Sequence, residues 1–425
     1  MTHPAAEGES RGVHNTAQSM PPWRIAAAGL VALAVAMGIG RFAFTPLLPM
    51  MLADGVVDLP AASWLASANY AGYLVGALLC TVQPWLWRRI GSPAPPNPAA
   101  LVRGGLVATA LLTLGMALHL PAAWPVLRFT AGVASALVFV YGSGWCMTQL
   151  ARLGVPSMAA LIYTGPGAGI VLSGVAASAM VALGWTAAAG WLLFGLLAVA
   201  LTTLVWQIFD PRQELAGPAS APSAPAVTDA VPAGIRGRLE IGLLTLAYGL
   251  AGFGYIITAT FLPVIARRTL PSSGWLDLFW PIFGVGVILG ALVASRVRAA
   301  IDRRLLLAGC YLVQACGVAA SLVSPSLAGF ALGSLLLGLP FTAITFFALQ
   351  EVRRLRPDQV PSTVGLITAM YGLGQIGGPP LATSLLALRP GAGFSLSLEI
   401  AAAALGLGAL LYLLLKRLYP LPLSR

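Results

Sequence analysis

Residues 38–49 of the chain read GIGRFAFTPLLP, and residues 252–263 read GFGYIITATFLP. At a constant offset of 214 residues, two glycines, a leucine and a proline recur between the stretches (38 against 252, 40 against 254, 48 against 262 and 49 against 263). Arg41 falls opposite Tyr255 in this register. Both stretches lie in long apolar runs. The chain is therefore predicted to contain two parallel repeats, related by an axis along a membrane normal.

The composition identifies the class of protein. Hydrophobic residues make up 58% of the 425 residues and charged residues only 9%, against roughly 25% in an ordinary soluble domain. So few charges cannot cover a water-exposed surface, and an all-α polytopic membrane protein is predicted. The net charge of +11 does not indicate nucleic-acid binding, because the basic residues lie in short loops between apolar runs and form no single patch.

Twelve apolar runs are long enough to cross a bilayer, which takes roughly 20 residues per helix. They are predicted as six in each half. The predicted spans are 24–51, 63–86, 103–120, 123–148, 157–181, 184–208, 239–266, 275–295, 304–323, 327–350, 361–387 and 394–415.

The loop charges predict the orientation of these spans. With twelve spans, 16 loop arginines and lysines fall on one side, and only Arg267, Arg268 and Arg389 fall on the other. The positive-inside rule then places both termini in the cytoplasm. The predicted domains are a disordered cytoplasmic tail (1–22), an N-terminal six-helix bundle (23–209), a Pro- and Ala-rich cytoplasmic linker (210–238) and a C-terminal six-helix bundle (239–425).

Two local motifs accompany the twelve spans and the six-plus-six repeat. Residues 128–136 in the fourth span read RFTAGVASA, and residues 165–169 in the fifth read GPGAG. An arginine followed by Gly and Ala at four-residue steps resembles the fourth-helix motif of the major facilitator superfamily, and GPGAG resembles its fifth-helix Gly-Pro-x-x-Gly motif. Leu161 stands where the fuller fifth-helix motif has a further glycine.

The resemblance is most specific in the first two spans and incomplete in the loops. MGIGRFAFTPLLPMM (37–51) and ANYAGYLVGALL (68–79) look like the YbfB/YjiJ branch of bacterial transporters. The loop at 85–104 lacks the superfamily's Gly-x-x-x-Asp-Arg-x-Gly-Arg-Arg gating motif, and its counterpart near Asp302 lacks the glycine spacing. The resemblance implies a central cavity lined by the first, fourth, seventh and tenth helices.

Arg41 is the leading candidate for ligand binding. An arginine at bilayer depth costs at least about 2.5–3.5 kcal/mol by insertion scales, so something should offset its charge. In the functional interpretation it faces a cavity between the halves and binds an anion. In the structural interpretation it snorkels to the outer interface or caps carbonyls freed by Pro46 and Pro49.

Other residues could complete a substrate site. Arg128 lies near the outer end of its span and is equally compatible with a cavity role and a structural one. No carboxylate falls at mid-membrane depth, which leaves Glu351 as a poor candidate for proton coupling. The predicted substrate-binding residues are Arg41, Arg128, Tyr255, Asn69, Tyr371 and Gln375.

These features favour a secondary transporter of the bacterial inner membrane that moves a small organic anion by alternating access. An exporter of amphipathic drug-like compounds or metabolites is the alternative. A membrane-embedded enzyme would need clustered catalytic groups, but the histidines are only His3, His14 and His119. A receptor would need a long output domain.

The expected partners are a small-molecule substrate, the lipid bilayer and an unidentified coupling ion such as a proton. We expect no cofactor, metal or nucleic acid, and a monomeric chain.

The topology can be tested by cysteine accessibility in a variant without native cysteines. Ser223→Cys in the linker should react with an impermeant maleimide only after cells are opened, because the linker is predicted to be cytoplasmic. Gly391→Cys, in a loop on the other side, should react in intact cells. Labelling of Ser223→Cys from outside intact cells would overturn the predicted orientation.

Overall fold

The structure, a computed structural model, describes residues 20–90, 97–211, 235–271, 273–298, 301–357 and 360–420. These residues form twelve long helices and no strand. The predicted linker and the predicted tail lie almost entirely outside the described residues. The helices are α1 (Pro22–Ala53), α2 (Leu59–Ile90), α3 (Pro98–Gly115), α4 (Trp124–Arg152), α5 (Pro156–Ala182), α6 (Ala187–Val205), α7 (Ile235–Thr269), α8 (Gly274–Ser295), α9 (Arg303–Val323), α10 (Leu327–Leu355), α11 (Val360–Leu388) and α12 (Gly393–Leu418).

Eleven of these helices are long and apolar enough to cross a membrane, and α11 is not among them. With 29 residues α11 is long enough, so its composition sets it apart. It contains Tyr371, Gln375 and the sequence GGPP at 377–380. This helix packs against α7 of its own bundle and against α2 of the other bundle. The predicted fold class, twelve helices in two six-helix bundles, is confirmed.

The two bundles meet at a contact between repeat-related positions. Thr45 on α1 donates a hydrogen bond through Oγ1 to the carbonyl of Ala259 on α7, at 2.8 Å and a separation of 214 residues. Equivalent positions of two repeats come this close only near the axis that relates them. The sequence offset therefore marks the pseudo-two-fold axis. Two further seams join the halves on either side of it, α2 against α11 and α5 against α8.

Glycines set the close approach of the helices around this axis. A Cβ on Gly132 of α4 would lie 2.1 Å from the carbonyl oxygen of Asn69 on α2, and one on Gly38 of α1 would lie 2.3 Å from the Cα of Gly169 on α5. Gly167 faces the other way, against the backbone of Gly284 on α8. The fourth- and fifth-helix motifs thus supply small residues that let backbones touch.

Glycine contacts also relate α5 of one repeat to α11 of the other, and both helices contain a Gly-Pro pair. Gly38 packs against Gly169 on α5, and its repeat mate Gly252 packs against the backbone of Tyr371 on α11, with Gly374 one turn further along. The stretch of α11 at 371–374 is therefore the counterpart of Gly169. The Gly-Pro pairs at 165–166 and 378–379 are therefore not equivalent, since Gly378 packs against Ile256 further along α7.

A buried ion network fastens one end of the C-terminal bundle. We call the end at which α1 begins and α12 ends the terminal face, and the opposite end the distal face. Near the terminal face, Glu351 on α10 accepts hydrogen bonds from Nε and Nη2 of Arg354 at 3.0 and 2.6 Å. Arg304 on α9 reaches Glu351 at 3.8 Å and Asp302 at 3.0 Å. Glu240 on α7 lies 3.6 Å from Arg354.

Arg304 is the first residue of the predicted ninth span, and only 1% of its surface is exposed. It also donates to the carbonyls of Leu415 and Tyr419 at the end of α12. Partial burial alone would raise the pKa of the Asp302 carboxyl, but hydrogen bonds from the side chain and backbone N–H of Arg304 outweigh it and lower that pKa below its ordinary value. The network therefore ties α7, α9, α10 and α12 together with charges that are paired.

Two glycine-to-alanine variants test the packing. Gly132→Ala should lower the melting temperature of the purified protein, because the new methyl group meets the backbone of α2. Gly406→Ala on α12 is the matched control, since nothing lies within 4 Å of a Cβ at that position. It should leave stability unchanged or raise it slightly, because alanine is the better helix former. Equal melting temperatures for the two variants would contradict the packing.

Candidate functional site

Arg41 lies in an unusual part of α1. Residues Ala34–Phe42 form a π-helical segment between two α-helical stretches. Pro46 and Pro49 follow it and have no N–H to donate, so carbonyls of the preceding turn need other partners. π-Helical turns are rare and occur frequently at functional sites. In the other repeat, the equivalent stretch of α7 belongs to one continuous α-helix.

The Arg41 guanidinium is surrounded by aromatic rings of the N-terminal bundle. Its Cζ lies 4.2 Å from the ring centroid of Tyr73, 5.1 Å from that of Tyr70 and 5.3 Å from that of Phe42. Only 3% of the residue is exposed. Its side chain therefore points into the protein, and the interpretation that it snorkels to the outer interface is wrong.

Two of the three guanidinium nitrogen atoms of Arg41 form no hydrogen bond with the residues that the structure describes. Nε and Nη2 are both buried and have no hydrogen-bond partner among the described residues. Within the same part of the chain, no carboxylate forms an ion pair with Arg41. The rings supply partial compensation through cation–π contacts. The N–H groups of Nε and Nη2 can therefore donate hydrogen bonds to a ligand, because no described residue accepts from them.

Arg128 is equally buried, but two of its three guanidinium nitrogen atoms have partners, and only its Nε has none among the described residues. Its Nη1 and Nη2 donate to the carbonyls of Gly40 and Arg41, each at 3.2 Å, and its Cζ lies 4.8 Å from the ring centroid of Phe44. Ser135, two turns further along α4, donates through Oγ to the carbonyl of Ala36 at 2.7 Å. Side chains of α4 thus supply donors to the irregular segment of α1, as buried carbonyls require.

Asn69 connects α2 to the same assembly. Its Nδ2 donates to the carbonyl of Arg128 at 2.9 Å, and its Oδ1 is buried without a partner among the described residues. The contact lies beside Gly132, where α2 and α4 touch. Because Tyr73 is one helical turn from Asn69, this contact also holds the ring that faces Arg41.

The C-terminal bundle adds three of the predicted residues. Gln375 on α11 donates a short hydrogen bond through Nε2 to the hydroxyl of Tyr255 on α7. The rings of Tyr255 and Tyr371 are stacked, with centroids 6.0 Å apart and planes 25° apart. The ring of Phe341 on α10 contacts Tyr255 at 5.1 Å and Phe42 of the N-terminal bundle at 5.8 Å. Because the Arg41 Cζ lies 5.3 Å from the ring centroid of Phe42, these rings connect Arg41 to its repeat mate across the interface between the bundles.

The structure therefore divides the predicted site residues into two groups. Arg41, Tyr255, Tyr371 and Gln375 meet between the bundles. Arg128 and Asn69 instead donate hydrogen bonds to backbone carbonyls within the N-terminal bundle. Tyr70 and Tyr73 were not among the predicted residues, although they lie in the quoted stretch at 68–79, and the spacing of Asn69 and Tyr73 on one helical face was the available signal.

Access to this site differs between the two faces. On the distal side, hydroxyl groups join the bundles. In addition to the Thr45 bond, Tyr70 pairs with Thr260 at 2.9 Å and Ser67 donates to the carbonyl of Ile376 at 2.8 Å. Towards the terminal face, Tyr73, Tyr163 and Tyr371 are only partly buried.

Two other concavities lie away from the site. One of about 280 Å³ lies between α3 and α4 beside Tyr141, and one of about 630 Å³ lies near the distal face beside Arg267 and Asp277. None of the predicted substrate-binding residues lines either of them. Neither concavity is therefore part of the site at Arg41.

The comparisons with known proteins agree with this architecture. The family model described as "Uncharacterised MFS-type transporter YbfB", where MFS is the major facilitator superfamily, matches residues 33–413. Among solved structures, a crystal structure of the nucleoside transporter NupG is similar with a TM-score of 0.67 and 13% sequence identity, covering 92% of this chain and 99% of that chain. At that identity the likeness shows the fold alone. No curated protein sequence matches the chain.

The contrast between the two buried arginines can be tested by one substitution at each. Arg128→Met should destabilise the protein, because it leaves two buried carbonyls without donors, at a cost of about 1–3 kcal/mol for each group. Arg41→Met should leave stability unchanged or raise it, because it removes a buried charge that the described residues leave unpaired. Melting temperatures of the purified proteins without ligand compare the two. Equal losses would contradict the separate roles.

Proposed function

The chain belongs to the family of uncharacterised YbfB-type transporters of the major facilitator superfamily, and we propose that it is a secondary active transporter of a small organic anion. The observation that carries the proposal is that Nε and Nη2 of Arg41 are buried and have no partner in the part of the chain that the structure describes. A buried cation without a counter-charge is costly. A carboxylate that binds Nε and Nη2 in bidentate fashion would supply both the charge and the two acceptors.

Residues of the other bundle would complete the site. The Tyr255 hydroxyl accepts a hydrogen bond from Gln375, which leaves its own O–H as a donor to the anion. The ligand would then be bound by α1 on one side and by α7 and α11 on the other. Binding by both bundles is what couples a ligand to their relative movement. Arg128 would contribute through the backbone of α1, by holding the segment that presents Arg41.

We propose alternating access around this site, with both termini in the cytoplasm of a cell whose inner membrane contains the protein. The hydroxyl contacts at the distal side favour a conformation closed to the outside, and the partly buried tyrosines mark the inner route to Arg41. Outward opening would break the bonds of Thr45, Ser67 and Tyr70. Glu351 is bound by two arginines, which argues against it as a carrier of protons.

An exporter of amphipathic compounds is the second candidate, and the aromatic rings around Arg41 favour it. The two candidates differ in whether the ligand must be charged. A nucleoside, the substrate named for the structural neighbour, carries no charge to offset that of Arg41. We therefore do not extend that substrate to this chain.

Transport of a panel of radiolabelled organic anions into proteoliposomes tests the proposal. Arg41→Ala should abolish transport of any anion that the native protein moves, while the variant still inserts and folds. Arg41→Lys should keep the charge but lose at least tenfold in affinity, because the bidentate fork is gone. Arg24→Ala, an exposed arginine at the start of α1, is the matched control. Normal anion transport by Arg41→Ala would exclude the proposal.

A further inference from the structure

We propose that the anion bound at Arg41 is an aromatic carboxylate, a planar ring that bears an acid group and no positive charge. This inference rests on the proposed transport of organic anions and narrows the class of substrate. Three features carry it: the rings of the N-terminal bundle, the rings of the C-terminal bundle and the lack of any carboxylate from the described residues beside them.

The first feature is the wall formed by α1 and α2. Tyr73, Tyr70 and Phe42 each place a ring within 5.3 Å of the Arg41 Cζ. The three rings therefore surround the guanidinium group. Its buried Nε and Nη2 have no partner among the described residues and can bind a ligand. A carboxylate that binds there brings its attached group into contact with the same rings.

The second feature is the opposing wall. Tyr371 lies between Tyr255 and Tyr248, with ring centroids 6.0 and 4.8 Å away. Phe341 on α10 contacts Tyr255 at 5.1 Å and Phe42 of the N-terminal bundle at 5.8 Å. The rings of the two bundles thus form one continuous cluster around Arg41. A ligand ring that entered this cluster would gain offset or edge contacts with several neighbours, and an aliphatic group of the same size would not.

The third feature excludes an aromatic amino acid. The ammonium group of such a ligand would need a carboxylate partner. The described carboxylates all lie in loops or within roughly two turns of a helix end, and they are Asp54, Asp58, Asp210, Glu240, Asp277, Asp302, Glu351 and Glu399. With Arg41 left unpaired, the site favours a ligand of net negative charge.

Calorimetric binding to the purified full-length protein, with three matched ligands, tests the inference. The ligands are 4-hydroxybenzoate, its saturated analogue 4-hydroxycyclohexanecarboxylate and the uncharged 4-hydroxybenzyl alcohol. The aromatic acid should bind about tenfold more tightly than the saturated acid, as expected for two aromatic contacts, and also more tightly than the alcohol. Equal binding of the two acids, each weakened by Arg41→Lys, would overturn the aromatic inference and leave the anion proposal intact.

Two substitutions at Tyr371 test whether its ring causes the preference for the aromatic acid over the saturated acid. This residue has no cation–π contact with Arg41, so its replacement changes the ring wall without touching the charge. Tyr371→Leu should bring the ratio of the two acid affinities close to one, and Tyr371→Phe should preserve it. Phe129→Leu, on the exposed face of α4, is the control and should leave the ratio unchanged.

If the alcohol binds as tightly as the aromatic acid, or if Arg41→Lys does not change the binding of either acid, the anion proposal itself fails.

Discussion

The guanidinium of Arg41 is enclosed by three aromatic rings, and two of its nitrogen atoms are buried without a partner in the described protein. Its burial carries a cost that the cation–π contacts only partly offset. A charge of this kind is not explained by stability, because an apolar residue would pack there without that cost. It is explained if the missing partner is the transported anion, which arrives with the opposite charge.

The surrounding helices are arranged to present this charge. The π-helical segment of α1 ends at Phe42, and donors from Arg128 and Ser135 bind its carbonyls from α4. Gly40 lets α1 approach α4 closely at this point, since a Cβ there would lie 3.2 Å from the Oγ of Ser135. The repeat symmetry is broken at this point, because α7 continues as a regular helix and places Tyr255 opposite Arg41. One half thus supplies a cation and the other supplies polar aromatic groups.

Sequence reasoning predicted the features that repeat or follow composition. The offset of 214 residues is the separation of Thr45 and Ala259, which touch across the axis. The third span was placed at 103–120, but α3 is Pro98–Gly115, because hydropathy does not register the Asn97 cap that starts the helix. At the site, Tyr70 and Tyr73 were missed because aromatic residues in an apolar run usually pack in the core. The π-helical segment depends on donors from another helix, so no local pattern reveals it.

The most direct test of the account is a structure of the protein with 4-iodobenzoate, in which anomalous scattering locates the iodine. The carboxylate should lie within hydrogen-bonding distance of Nε and Nη2 of Arg41, about 2.7–2.9 Å for such charge-assisted bonds. The iodinated ring should lie between Tyr73 and Tyr371. An anion bound elsewhere, with the fork of Arg41 still unpaired or occupied by a side chain of the protein, would contradict the account.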